Sequence, residues 1–416
     1  MNRIILIGNG FDLAHGLKTS YKNFMDWYWD EWIERLRKST SYTQTDDLCK
    51  FIYKDHDTNW YTFFYTYFSS FDKLDWKQVL SKMEESAYIN IIACHFLQNI
   101  CKSIEYNNWV DIEMEYYNLL KKRTICSDEY NSSHKELNEQ LDSLKTKLCK
   151  YLKSLSINKE LIKNSVTEKI YCPITPCDIS INDKDGFISH IEHWMNTSKE
   201  EWAYRFRQYD TETFDQDATF EDLERIKKEA NKDLFNDSTY KRFPKEILYP
   251  DNILLLNFNY TNTAKLYLKE KSGFELNHIH GSLENPNGII FGYGDEMDDE
   301  YPVIKKRNDN ELLKNMKTIR YSETDNYRKM LSFIESAPYQ IFIMGHSCGN
   351  SDRTLLNTLF EHDNCVSIKP YYHKKEDGTD NYIELVQNIS RNFTDMKKMR
   401  DRVVNKTYCE PLVGDK

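Results

Sequence analysis

The two ends of the chain carry short apolar runs that stop at glycine- or asparagine-rich turns, while the middle follows a different rhythm. Arg3 to Ile7 is the first run, Asn252 to Phe258 (NILLLNF) the second, Gln340 to Met344 (QIFIM) the third and Cys365 to Tyr372 (CVSIKPYY) the fourth. The first three are apolar at consecutive positions, the pattern of strands covered on both faces as in a parallel sheet. Weaker strand-like runs at Leu276 to His280 and Gly288 to Tyr293 lie between the second and third. Thr261 to Ser272 and Asp352 to His362 have helical spacing, so strand is followed by helix more than once. This alternation predicts an α/β fold with a doubly wound, Rossmann-type parallel sheet.

Between Tyr21 and about Tyr249 little strand sequence is visible. Tyr21 to Lys38 is amphipathic and aromatic, and Asn59 to Phe71 (NWYTFFYTYFSSF) reads as a buried helix. Ala87 to Tyr106, Trp109 to Arg123 and Glu221 to Phe235 read as helices, and Glu136 to Ser156 places leucines at helical or coiled-coil spacing. The expected organisation is a discontinuous core, residues 1–22 plus 250–416, interrupted by an all-helical insertion at 23–249.

Composition narrows the class. Hydrophobic residues make up 40% and aromatics 14%, enough for a sizeable core, which excludes a disordered chain. A net charge of −10 argues against general nucleic-acid binding, because an acidic surface repels backbone phosphates. No run approaches the roughly 20 apolar residues that span a bilayer. Ile4 to Ile7 is too short for a secretory signal, so no membrane association and a cytoplasmic location are expected. The ten cysteines lack the spacing of a disulfide framework and read as reduced thiols. Cys172 and Cys177 (CPITPC) have no second pair to complete a zinc site, and no metal is expected.

Four motifs carry candidate chemistry. Glycine is scarce, 13 residues, so the cluster Gly8, Gly10 and Gly16 in IGNGFDLAHG is informative. Glycine lets backbone approach a phosphate at a helix start, but Leu13 stands where the dehydrogenase fingerprint has its third glycine. A phosphate-binding loop and a ligand-free tight turn both fit. Asn259 follows the second strand in NFNYT, where it can grip a ribose hydroxyl, orient a water or cap a helix. His278 and His280 in HIHGS share one side of a strand, as a general base or as structural imidazoles. Gly345-His346-Ser347-Cys348-Gly349 follows QIFIM. Its Ser347 can bond a phosphate or ribose, Asp352 is placed to cap the next helix, and G-x-S-x-G also spells a hydrolase elbow with His362 or His373 downstream.

Taken in chain order, these motifs resemble the sirtuin-type NAD-binding core. The resemblance places Gly8, Gly10 and Gly16 at the glycines of its first loop, which Asn9 and Phe11 complete. It places Asn259 at its strand-end asparagine, His280 before Gly281 at its catalytic histidine, and Gly345 and Ser347 at its late turn. Two positions depart: Asp12 stands where the loop has serine, and Thr261 where an aspartate is usual. Asp12 or Asp295 (in GYGDE) is the candidate substitute. Paired CxxC zinc knuckles are absent, which disfavours protein deacylation and leaves water as acceptor. More closely, GNGFDLAHGLKTSY, LNFNYTNT, HIHGSL, IIFGYGDE and IMGHSCGNSD resemble the AbiH family of bacterial abortive-infection proteins.

The resemblance implies phage defence, with NAD bound and hydrolysed to nicotinamide and ADP-ribose. Asn259, His280 and Asp12 are then the catalytic candidates, and NAD the ligand. A phage-derived trigger and a homo-oligomer are the implied partners. Two other classes remain open: a nucleotide-binding sensor that does not hydrolyse, and a nuclease-type toxin using Asp111, Glu113 and Glu115.

Overall fold

The structure is a computed structural model that describes the chain apart from residues 55–58, 69–73, 108–109, 126–132, 198–200, 202–247 and 415–416. The helix expected at Glu221 to Phe235 lies outside the described residues. Eight strands are described: β1 (Asn2–Ile7), β2 (Thr43–Thr45), β3 (Cys49–Tyr53), β4 (Ile89–Ala93), β5 (Ile253–Asn257), β6 (Phe274–His278), β7 (Tyr339–Met344) and β8 (Cys365–Tyr371). Contacts divide the chain into two compact units.

The first unit comprises Met1–Leu17, Ile157–Ile289 and Tyr321–Lys416. Its sheet runs β6-β5-β1-β7-β8, parallel throughout, with Ile4 paired to Leu254 on one side and Ile341 on the other. Taken in sequence order within the sheet this is 3-2-1-4-5, the order of the doubly wound nucleotide-binding fold. All six residues of β1 are buried, as a central strand between two covered faces requires. Ile5, Ile7, Phe11, Ile253, Leu255, Phe342 and Met344 form one core with Val166 and Ile170. Those last two come from the helix Asn164–Ile170, which is why residues from Ile157 onward group with the sheet.

Arg3 is a charge inside this apolar layer. Its guanidinium donates to the carbonyls of Ile170 (3.1 Å) and Cys172 (2.6 Å) and to Gln340 (3.1 Å), and lies over the Phe342 ring. A buried cation is tolerable only when paired in this way, although its Nε is left without a partner.

The second unit comprises Lys18–Ser156 and Ile290–Arg320. The helix Tyr21–Arg37 is capped by Ser20, which accepts from the Asn23 N–H, and buries Phe24, Tyr28, Trp29, Trp32 and Leu36. The helix His134–Lys153 buries Leu137, Leu141, Leu144 and Leu148, a stripe at helical period.

This part of the chain is not all helix. β2, β3 and β4 form an antiparallel sheet. β4 occupies the start of the span read as the helix Ala87 to Tyr106, and the helix there is His95–Asn107. The stretch INIIA is rich in β-branched residues, which favour a pleated surface over a helix. The aromatic segment is also less buried than expected. In the helix Trp60–Tyr67, Trp60, Phe63 and Phe64 are buried while Tyr61, Tyr65 and Tyr67 are exposed. In the first unit the span Thr261 to Ser272 makes only a 3-10 turn at Thr263–Tyr267. Thr261 and Asn262 there spend their side chains on partners outside the span, donating to Asp12 and Glu284. Gly288 to Tyr293 forms no strand; Tyr293 makes one isolated bridge to Met316.

Candidate functional site

In an open parallel sheet, ligands sit beyond the carboxyl ends of the strands, where the winding reverses. Here that point lies between β1 and β7. Each strand is followed at once by a glycine, Gly8 or Gly345, and their turns pack backbone against backbone. A Cβ on Gly8 would lie 2.5 Å from the His346 Cα, one on Gly10 2.8 Å from the Gly345 oxygen, and one on Gly345 would overlap the Phe11 nitrogen. Gly345 also has φ +78°, a left-handed conformation suited to glycine. The Gly10 N–H donates to the Gly345 carbonyl (2.8 Å) and the Phe11 N–H to Gly8 (2.9 Å). The glycines thus meet a packing demand, and these two donors are used inside the protein. Gly16 has φ +81° and follows the helix Asn9–Ala14; its N–H returns to Leu13 and ends the helix. Phe11 points into the core against His15 and Tyr267, and Asn9 is exposed.

Asp12 sits one turn into that helix and is 1% exposed. Its Oδ2 accepts from the Thr261 hydroxyl at 2.5 Å, and its Oδ1 has no hydrogen-bond partner. Burial raises its pKa from 3.8 to about 6, with hydrogen bonding led by Thr261 pulling the other way. A carboxyl that titrates there can exchange a proton near neutral pH. Thr261, the residue that departs from the sirtuin pattern, is therefore bonded to the very carboxylate read as its substitute. Asn259 lies beside Asp12, and its Nδ2 donates to the Gly8 carbonyl (2.9 Å), tying the end of β5 to the β1 turn.

The second cluster is built on His280, 3% exposed. Its Nε2 lies 3.1 Å from the Tyr321 hydroxyl and 3.1 Å from Asp352 Oδ1. The other oxygen of Asp352 is 3.6 Å from His346 Nε2. His346 Nδ1 accepts the Cys348 N–H (3.0 Å), so a neutral His346 carries its proton on Nε2, toward Asp352. Phe258 packs on both imidazoles. One buried carboxylate thus orients two histidines, an arrangement that sets the tautomer of a general base. Asp352 was read from sequence as a helix cap. Its side chain makes no capping bond to the helix Arg353–Glu361 and serves the histidines instead. Gly281, at φ +80°, turns the chain after His280 where a Cβ would strike the Gly288 carbonyl.

His278 has a different environment. Its Nδ1 faces Asn257 (3.2 Å) and the Asn259 carbonyl (3.4 Å), and burial lowers its pKa, which favours the neutral ring. Ser347 is exposed, and His362, a partner its elbow reading needed, is engaged with Glu335 (3.2 Å). Asp295 belongs to the second unit, where its Oδ1 accepts from the Met297 N–H (2.9 Å).

The carboxylates of the nuclease reading also lie in the second unit, each in a structural role. Asp111 accepts from the Met114 N–H at the start of the helix Ile112–Ile125, Glu115 accepts from Ser103, and Glu113 pairs with buried Lys317 at 2.9 Å while accepting from the Gly292 N–H. Lys317→Met is expected to lower stability by about 3–5 kcal/mol in urea unfolding, because it strands the Glu113 charge. Among the described residues, no group of three or more His, Cys, Asp or Glu is placed to hold a metal ion. Tyr321 and His346 escaped sequence reasoning. His346 stood inside a motif read for its serine, and Tyr321 comes from a segment with no motif.

Fold and site define a doubly wound α/β protein with buried acid and base clusters at the carboxyl edge of its sheet. The chain belongs to the family described as bacteriophage abortive infection AbiH, whose pattern it matches over residues 4–373. No curated protein and no solved structure matches it. Among the described residues no helix is long and apolar enough to cross a membrane.

Proposed function

We propose that this AbiH chain acts in abortive infection by hydrolysing NAD to nicotinamide and ADP-ribose at the carboxyl edge of its parallel sheet. The observation that carries the reading is Asp12: a buried carboxyl beside the β1 turn, with one oxygen unpartnered and a pKa near 6. The strand order and the chain order of the Gly8–Gly10, Asn259, His280 and Gly345–Ser347 motifs support it.

The chemistry asks little of an acid. The bond between nicotinamide nitrogen and ribose C1′ breaks with its electron pair going to nicotinamide, which leaves neutral. Positive charge builds on the ribose, and an ionised carboxylate nearby stabilises it. Water then bonds to C1′ and gives up a proton to a base. Asp12 is assigned to the charge, His280 to the water or ribose hydroxyl, and Asn259 to holding the ribose. NAD is the only ligand this requires, with a phage-derived trigger or self-association as the control. His280→Ala is expected to lower nicotinamide release about 10²-fold, and Asn259→Ala to lower it as well. Undiminished turnover in both variants would overturn the site.

One observation favours a second reading. Asp12 and His280 are both buried in this conformation, 1% and 3% exposed, as in a sensor that binds a nucleotide without cleaving it. A thermal shift with NAD in the absence of any nicotinamide release would select that reading.

A further inference from the structure

The outer edge of the sheet carries a cavity that the proposed reaction does not use. It lies beside β6, the edge strand, and has a volume of about 370 Å³. Its walls come from the strand itself (Asn277, His278), from the turn after it (Ser282, Asn285) and from the start of the helix Asn326–Ser336 (Thr324, Asn326). All of these residues belong to the first unit.

The edge is closed by side chains rather than by another strand. Asn326 donates to the His278 carbonyl at 2.8 Å, and Asn277 donates to the Asn326 carbonyl at 2.8 Å. That exchange uses the Asn277 amide nitrogen and leaves its Oδ1 buried with no partner. Asn277 is 6% exposed, so the orphaned acceptor is not supplied by bulk solvent. A buried acceptor without a donor costs about 1–3 kcal/mol, and a ligand hydroxyl or amine would relieve it.

The rest of the lining describes the ligand. Asparagines, a serine, a threonine and a histidine that burial keeps neutral are hydrogen-bonding groups without charge. The charged residues on the rim are Glu275, Asp325 and Lys329, and Lys329 is paired with Asp325 at 3.0 Å. The rim therefore has no surplus cation for a phosphate. The volume lies near the lower end of the 300–1,000 Å³ range of ligand pockets, which suits a molecule smaller than a dinucleotide.

We infer that this cavity binds a neutral molecule through adjacent sugar hydroxyls, with Asn277 Oδ1 accepting from one of them. A free pentose and the ribose of a nucleoside offer the same chemistry. The inference stands apart from NAD hydrolysis, since it concerns a separate cavity and is read by binding alone.

The test is calorimetry and ligand-observed NMR on the full chain with ribose, adenosine, adenosine monophosphate, and erythritol as a linear polyol. Binding of ribose or adenosine is expected, with adenosine monophosphate at least threefold weaker than adenosine. Equal binding of ribose and adenosine identifies the free sugar as sufficient; preference for adenosine identifies the nucleoside. Asn277→Leu is expected to weaken binding at least tenfold. Should that variant misfold, Asn285→Trp at the exposed mouth of the cavity is expected to block it while leaving the melting temperature unchanged. No binding of either sugar ligand at millimolar concentration overturns the inference. So does erythritol binding as well as ribose, or full binding retained in Asn285→Trp.

Discussion

Asp12→Asn is expected to yield a protein that is more stable than the parent above pH 6 and nearly devoid of activity. The carboxyl titrates near pH 3.8 when unfolded and near 6 when folded. Between those values the folded state holds the proton more tightly, so the parent loses stability as pH rises through this window. Above it the cost of a buried charge is complete, at most about 3 kcal/mol for a shift of this size. Asparagine keeps an acceptor for the Thr261 hydroxyl and carries no charge. Its stability gain should appear in urea unfolding at pH 8 and vanish near pH 4. Nicotinamide release should fall by about 10³-fold. A variant that gains stability while losing activity marks a residue retained for chemistry. Equal stability at pH 8 would show that Asp12 is not held under strain.

Gly345→Ala is expected to be the most damaging single methyl addition at this edge. The residue has φ +78°, and an added Cβ would overlap the Phe11 nitrogen, which the short helix after β1 cannot move without breaking its turn. A loss of about 3–5 kcal/mol is expected. Gly378→Ala is the control. Its φ is +83°, and nothing lies within 4 Å of an added Cβ. It should lose only the left-handed penalty, about 1–2 kcal/mol. Equal losses in the two variants would mean that the β1 and β7 turns are not packed against each other, and the switch point would then be open.

The parallel core was legible because its strands are covered on both faces. β1, β5, β7 and β8 fall within a residue or two of the apolar runs that announced them. The small antiparallel sheet was not legible. β3 does alternate, with Cys49, Phe51 and Tyr53 buried, but five residues amid aromatic helices give a weak period-2 signal. The glycine cluster was visible, yet its reason was not. Gly8 and Gly10 answer to Gly345, more than three hundred residues away, and no local pattern records a backbone contact of that kind. The candidate site divides in the same way. Asn259, His280 and Asp352 stand in motifs and Tyr321 does not, but the contacts of Asp352 and Tyr321 with His280 are made only by the fold. Asp352 was misread because an aspartate before a helix is usually a cap, and here two buried imidazoles claim it.

Incubating the purified full chain with NAD and measuring nicotinamide release, alongside Asp12→Asn, tests the central claim most directly. Hydrolysis is predicted for the parent and not for Asp12→Asn, with the variant as well folded and more stable at pH 8. Release by Asp12→Asn at the parent's rate would contradict the account.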